Sequence, residues 1–280
     1  MNFNFIVNDY ILIWNLLFQA SISETIYKLK QKLWHNYQKE YNSTYEDKMQ
    51  ILKDTKDFIP SDDTIYNLIL ESKDYDKIKK QTEKYRLELL KIWEDKTKKF
   101  SCLLSDILKM PISKYDVFIV SQEIDVLDVI KTSAGINSVI LGKKIDKKDI
   151  NRIIVDLTKE VVMKEVKDYL GNSINQTIKE AVVELAINNE LLTKVTKTTH
   201  YFNGKSNLTY IKRQIYPYWL MYLGISKEEL EIYMNRDKIV FDVSKYPYEE
   251  KLKNMTLESF IDFCIKNKNY LFSEEQLDLI

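Results

Sequence analysis

Apolar positions three to four residues apart dominate the first third of the chain. From residue 9 to about 109 the pattern is helical almost without pause. The run Ile11 to Phe18 is the most apolar segment and predicts a buried first helix. Ser23 then precedes Ile26, Leu29, Leu33, Tyr37 and Tyr41, while the intervening Lys, Gln and Glu form a wet face. Acidic first turns after Thr44 and Ser61 mark further helix starts, because a helix N-terminus favours negative charge. A start near Asp74 opens a long helix carrying Ile78, Tyr85, Leu89, Leu90, Ile92, Trp93 and Phe100. It reaches about Leu108, and Pro111 ends it.

Beyond Pro111 the texture changes. Tyr115–Val120 and Ser138–Leu141 are short, β-branched or aromatic runs and read as strands, with Ser133, Ala134 and Gly135 in the segment between them. Asp146 to Asp149 opens the next helix, which is apolar on two sides: Ile150, Ile153, Ile154, Leu157 and Val161 on one, Val155, Val162, Met163, Val166 and Leu170 on the other. Such a helix belongs in an interior. Gly171 is expected to close it, and Ser173 with Gln176 to cap a following helix that runs to about Leu192. An aromatic helix with Tyr210, Tyr216, Tyr218 and Trp219 comes next, then short helices starting near Ser226, Thr256 and Ser273. The expected fold is mainly α with a small β-sheet, an α+β arrangement. Residues 1–110 are read as an all-helical lobe and residues 111–280 as a small sheet plus helices, with a soft boundary.

Composition narrows the chemistry. The chain has 280 residues, of which 45% are apolar and 30% charged, so it can close a core without staples. Lys+Arg and Asp+Glu both number 42, which removes the net positive field that draws proteins to nucleic acid or anionic lipid, and neither is an expected partner. The N-terminal apolar run lacks both the ~20 residues of a membrane span and the basic flank of a signal peptide, and a cytoplasmic protein is the expectation. Two cysteines, Cys102 and Cys264, and two histidines, His35 and His200, are too few for a disulfide framework or a Cys/His zinc module. Both cysteines flank apolar residues and read as buried thiols, and His35 as a surface residue. Abundant Lys, Ile, Asn and Tyr fit an AT-rich genome, so single residues of these types carry little information.

One order of elements stands out: strand, loop of small residues, strand, interior helix, tight turn, second interior helix with carboxylates. With Thr158–Glu165 on the first of these helices and Glu180–Glu190 on the second, this stretch resembles a gluzincin-type zinc peptidase. That family carries His-Glu-x-x-His on an interior helix and a ligand Glu about twenty residues further on. The corresponding window is Lys159-Glu160-Val161-Val162-Met163, with Glu184 in the third-ligand place. The base and the ligand carboxylate match, and both histidines are absent. An ammonium and a thioether cannot replace two imidazole ligands, so the resemblance implies a degenerate site with neither metal nor cofactor.

From the residues alone, Glu180 and Glu184 lie one turn apart on a face that continues through Ile187 and Leu191. A semi-buried Glu184 needs a partner, and Lys159 is the expected one. The resemblance implies a non-catalytic protein that takes a peptide or protein partner by strand addition along Ser138, Val139, Ile140 and Leu141, over a floor of Lys159, Glu160 and Glu184. A competing hydrolase keeps Glu160 as base and recruits Glu180, Glu184 and His200 around an oxygen-ligated metal or around none. A third reading is a helical interaction protein with no cleft. Gly204-Lys205-Ser206 lacks the strand and earlier glycine of a P-loop and reads as a turn. Tyr216 and its aromatic neighbours read first as core, with peptide or base stacking as the other option.

Overall fold

The computed structural model describes residues 2–20, 23–143, 150–169, 171–197, 202, 204–236 and 249–272. Helices dominate it and one small sheet accompanies them, as the periodicity predicts. The chain divides into two units. One holds residues 2–97 and 113–151, and the other residues 98–112 and 152–280. The sheet therefore groups with the N-terminal helices, and not with the later helices as the division at residue 110 has it. The reason is topological, since the first strand of the sheet comes from the start of the chain.

That strand, β1 (Asn2–Ile6), runs parallel to β2 (Lys114–Ile119) with Phe3 opposite Tyr115 and Phe5 opposite Val117. β2 runs parallel to β4 (Asn137–Gly142), and β4 pairs antiparallel with β3 (Val126–Lys131), giving the order β1-β2-β4-β3. β1 and β3 are elements the sequence reading missed. β4 is therefore an inner strand with a neighbour on each side, and Ser138, Val139, Ile140 and Leu141 form no free edge. This corrects the strand-addition site expected there. Its burial fits the position, because every residue of β4 from Ser138 to Gly142 is buried. At Gly142 a Cβ would meet Ile124 O at 2.6 Å, so only glycine lets that neighbouring chain approach.

Among the described residues, six helices lie between β1 and β2. The first is α1 (Asp9–Phe18), capped by Asn8, whose side chain accepts from Ile11 N. Its residues 11–17 are all buried, which is why the segment is so apolar. Next come α2 (Glu24–Asn36), α3 (Gln38–Glu46), α4 (Lys48–Lys53), α5 (Thr64–Leu70) and the long α6 (Lys73–Leu108). Ile11, Leu12, Leu16, Ile26, Leu33, Ile51, Ile65 and Tyr66 share one core with Phe118 and Ile140 of the sheet. Asp9 ties the start of α1 to α6 by accepting from Tyr75 Oη at 2.6 Å and Lys79 Nζ at 2.8 Å.

The helical unit takes the last turns of α6, then α7 (Ile150–Glu165) from Arg152 onward, and α8 (Ser173–Glu184). α8 continues without a break into a π-helical turn, Leu185–Leu191, and α9 (Leu192–Thr196). α10 (Thr209–Tyr222), α11 (Lys227–Arg236), α12 (Leu257–Lys266) and α13 (Lys268–Leu271) complete it. α10 and α12 both pack on α8. Trp219 stacks on Tyr222 at 5.0 Å, and Phe260 closes the same aromatic cluster at 4.8 Å from Tyr222. Lys109 binds the unit together: its ammonium donates to the carbonyls of Tyr222 and Lys253 and lies 4.0 Å from the Tyr222 ring.

Several local expectations shift. α7 stops at Glu165, well before Gly171, and Gly171 instead supplies a positive φ of 84° in the turn before α8. Asn172, not Ser173, caps α8 by accepting from Asn175 N. Cys264 is buried as expected, but Cys102 is exposed on α6. The predicted starts at Asp146 to Asp149 and at Ser273 lie outside the described residues. Among the described residues no helix is long and apolar enough to cross a membrane.

Candidate functional site

α10 carries a buried stripe at helical spacing: Leu208 just before it, then Ile211, Lys212, Ile215, Tyr216 and Trp219. A lysine in such a stripe must find a partner, because an unpaired buried ammonium is far costlier than a solvated one. Its partner is Glu184 at the end of α8. Lys212 Nζ donates to Glu184 Oε2 at 2.9 Å, with the lysine side chain fully buried and the carboxylate 4% exposed. The same ammonium donates to Phe202 O at 3.2 Å.

The residues leading into α10 close over this pair. Lys205 N lies 3.2 Å from both Glu184 oxygens. Gly204 has a φ of 115°, and a Cβ there would lie 2.4 Å from Glu184 Oε2 and 2.7 Å from Asn188 Nδ2. The glycine is needed twice, for the left-handed backbone and for the close approach to the carboxylate. Phe202, also at positive φ, packs edge-on against Tyr216 at 5.3 Å.

Lys205 Nζ reaches the next carboxylate along α8 and donates to Glu180 at 2.7 Å. The hydrogen bond to Glu180 and the charges of Glu180, Glu184 and Glu160 hold the Lys205 ammonium above the ordinary lysine range, against a smaller opposing effect of burial. Glu160, Glu180 and Glu184 thus share one electrostatic neighbourhood. The cations among them differ from the expected one. Lys159, read as the partner of Glu184, instead meets its own neighbour Glu160 at 3.2 Å on the partly exposed side of α7. Lys212 takes its place because it projects from a helix packed directly on α8. Met163 is half-buried on α7, Tyr216 is buried in the α10 stripe, and His200 lies outside the described residues.

These groups do not fit a zinc ion. Lys159 and Met163 offer no imidazole nitrogen where the resemblance calls for two, and the oxygens of Glu184 are engaged by an ammonium and a backbone N–H. Among the described residues no three His, Cys, Asp or Glu side chains cluster so as to hold a metal. What the arrangement does chemically is join α8 and α10 to Phe202, Gly204 and Lys205 through one desolvated charge pair. The π-turn follows at once, and within it the buried Oδ1 atoms of Asn188 and Asn189 have no hydrogen-bond partner among the described residues.

The sequence reading missed both Lys205 and Lys212. Lys205 lies in Gly204-Lys205-Ser206, which by sequence reads only as a turn. Lys212 was visible as the one charged position in an otherwise apolar stripe. No protein-family model matches the chain, and neither a curated protein nor a solved structure matches it.

Proposed function

We propose that this chain acts by binding a peptide or protein partner and not by catalysis, with α7 and α8 as a degenerate gluzincin-like helix pair. The observation that carries the reading is the buried Glu184–Lys212 pair at 2.9 Å. In an enzyme of the resembled kind that carboxylate would ligate a metal; here its charge is used to hold helices together. A carboxylate-based hydrolase needs Glu180 and Glu184 available, and Lys205 and Lys212 hold them.

The partner does not add a strand at residues 138–141, whose neighbours β2 and β3 already occupy both sides. Metal analysis of the purified chain, together with mass spectrometry of a peptide mixture incubated with it, tests the reading. The expected result is no stoichiometric metal and an unchanged mixture. Cleavage that disappears in Glu160→Gln, or one transition metal per chain, overturns it.

A further inference from the structure

α2 buries only Ile26 and Leu33 and turns most of its surface to water. On that surface Tyr27, Gln31 and Trp34 follow one another at helical spacing, with Tyr27 57% and Trp34 46% exposed. Beside them Lys28, Lys32 and His35 form a second exposed row at the same spacing. The aromatic row is held in place. Gln31 Nε2 donates to Tyr27 Oη at 2.8 Å, and Trp34 meets Tyr41 edge-on at 5.4 Å. Tyr41 is itself anchored by its hydroxyl to Leu17 O at 2.8 Å and packs on Phe18 at 4.8 Å, from which a further ring contact leads to exposed Tyr45.

We propose that this outer face of α2 is a docking surface for an acidic protein segment carrying apolar side chains. The inference rests on the binding reading above and names the chemistry of the partner. Half-exposed Trp and Tyr side chains, with two side-chain torsions each, offer large contact area at little entropic cost, and they are the residue types that dominate binding energy at protein interfaces. The charge complementarity is local: the exposed Lys28 and Lys32 stand on this face against Glu24, the single acid of α2, while Lys30 is partly buried and donates to Gln19 O. Lys28 faces Glu24 at 2.6 Å in a solvent-exposed pair, which a partner carboxylate can replace at little cost.

Other anionic partners fit less well. Nucleic acid binding draws on an extended positive field, and this chain balances 42 cationic against 42 anionic side chains. A membrane-surface helix presents its aliphatic stripe outward to lipid, whereas Ile26 and Leu33 of α2 are turned into the protein core.

Selection of a random-peptide display library on the full-length chain tests this directly. Parallel titrations use oligothymidylate and phosphatidylserine vesicles. The expected result is enrichment of peptides combining Asp or Glu with apolar residues, bound about tenfold more weakly by Lys28→Glu/Lys32→Glu and by Trp34→Ala. Lys28→Arg/Lys32→Arg should retain binding, and added salt should weaken it. All of these changes are on exposed positions, and circular dichroism confirms that each variant is folded. No acidic enrichment, or tighter binding to oligothymidylate or vesicles than to the selected peptides, overturns the proposal. Selected peptides that bind the α2 variants unchanged overturn this surface and leave the binding reading standing. Cleavage of the peptides overturns the binding reading itself.

Discussion

The ammonium of Lys212 and the carboxylate of Glu184 lie 2.9 Å apart with both side chains withdrawn from water. Removing one charge leaves the other buried and uncompensated, at a cost of about 3–5 kcal/mol, whereas replacing both with apolar groups is often close to neutral. Lys212→Met should therefore lower the unfolding free energy by about that amount. Urea denaturation is the measurement, and the accompanying Lys212→Met/Glu184→Leu variant should regain part of the loss, the remainder reflecting Lys205 N and Phe202 O, which lose their partners.

Gly204 is the second point on which this cluster depends. Gly204→Ala puts a methyl 2.4 Å from Glu184 Oε2 on a backbone at φ 115°. The expected loss is about 1–3 kcal/mol. Gly135→Ala, where φ is 86° and no atom lies within 4 Å, carries the backbone strain alone and should cost less. Thermal unfolding of the two variants side by side separates the collision from the strain.

Asp47 gives a pH-dependent test in the sheet unit. Its carboxylate is buried and accepts from Tyr66 Oη and Ser61 Oγ, but burial outweighs these bonds and raises its pKa above the ordinary carboxylate value. In the window just above 3.8 the native state then holds more protons at this site than the unfolded chain does, so stability falls as pH rises through it. Asp47→Asn removes the titrating group and with it this loss. The unfolding free energy of the unaltered protein minus that of the variant should therefore decrease as pH rises through the window and level off above it. A difference that stays constant with pH would contradict the assignment.

The gluzincin resemblance can be tested by rebuilding its ligands. Lys159→His/Met163→His should not bind zinc while Lys212 occupies Glu184, and adding Lys212→Ala should create zinc affinity. Isothermal titration on variants shown to be folded decides it. A folded triple variant without zinc affinity removes the resemblance.

The long-period signals were legible. α1 and α6 follow from apolar spacing alone, and the Thr256 cap of α12 is where its side chain predicts, accepting from Ser259 N. β1 was not, because its five residues acquire their role only by pairing with the distant β2, which begins at Lys114. The burial of β4 on both faces was legible in principle, since Ser138-Val-Ile-Leu141 has no polar alternation, but its inner place in the sheet depends on which strands pair along its edges. At the site, burial of Glu184 followed from its helical face. Its partner did not, because choosing between Lys159 and Lys212 requires knowing which helix packs on α8, and periodicity within one helix carries no such information.

The exposed thiol of Cys102 shows the same limit on α6, where the apolar seam of Phe100, Leu104 and Ile107 leaves the intervening position to solvent. Neighbours in sequence are apolar there, yet they lie on another side of the helix.

The most direct test of the central claim is a double-mutant cycle on Glu184→Gln and Lys212→Met, read by urea denaturation without added metal. A coupling energy of about 1–3 kcal/mol is predicted, since the two charges interact with each other in a desolvated setting. Additive losses, with no coupling, would mean that Glu184 is not held by Lys212 and would contradict the account.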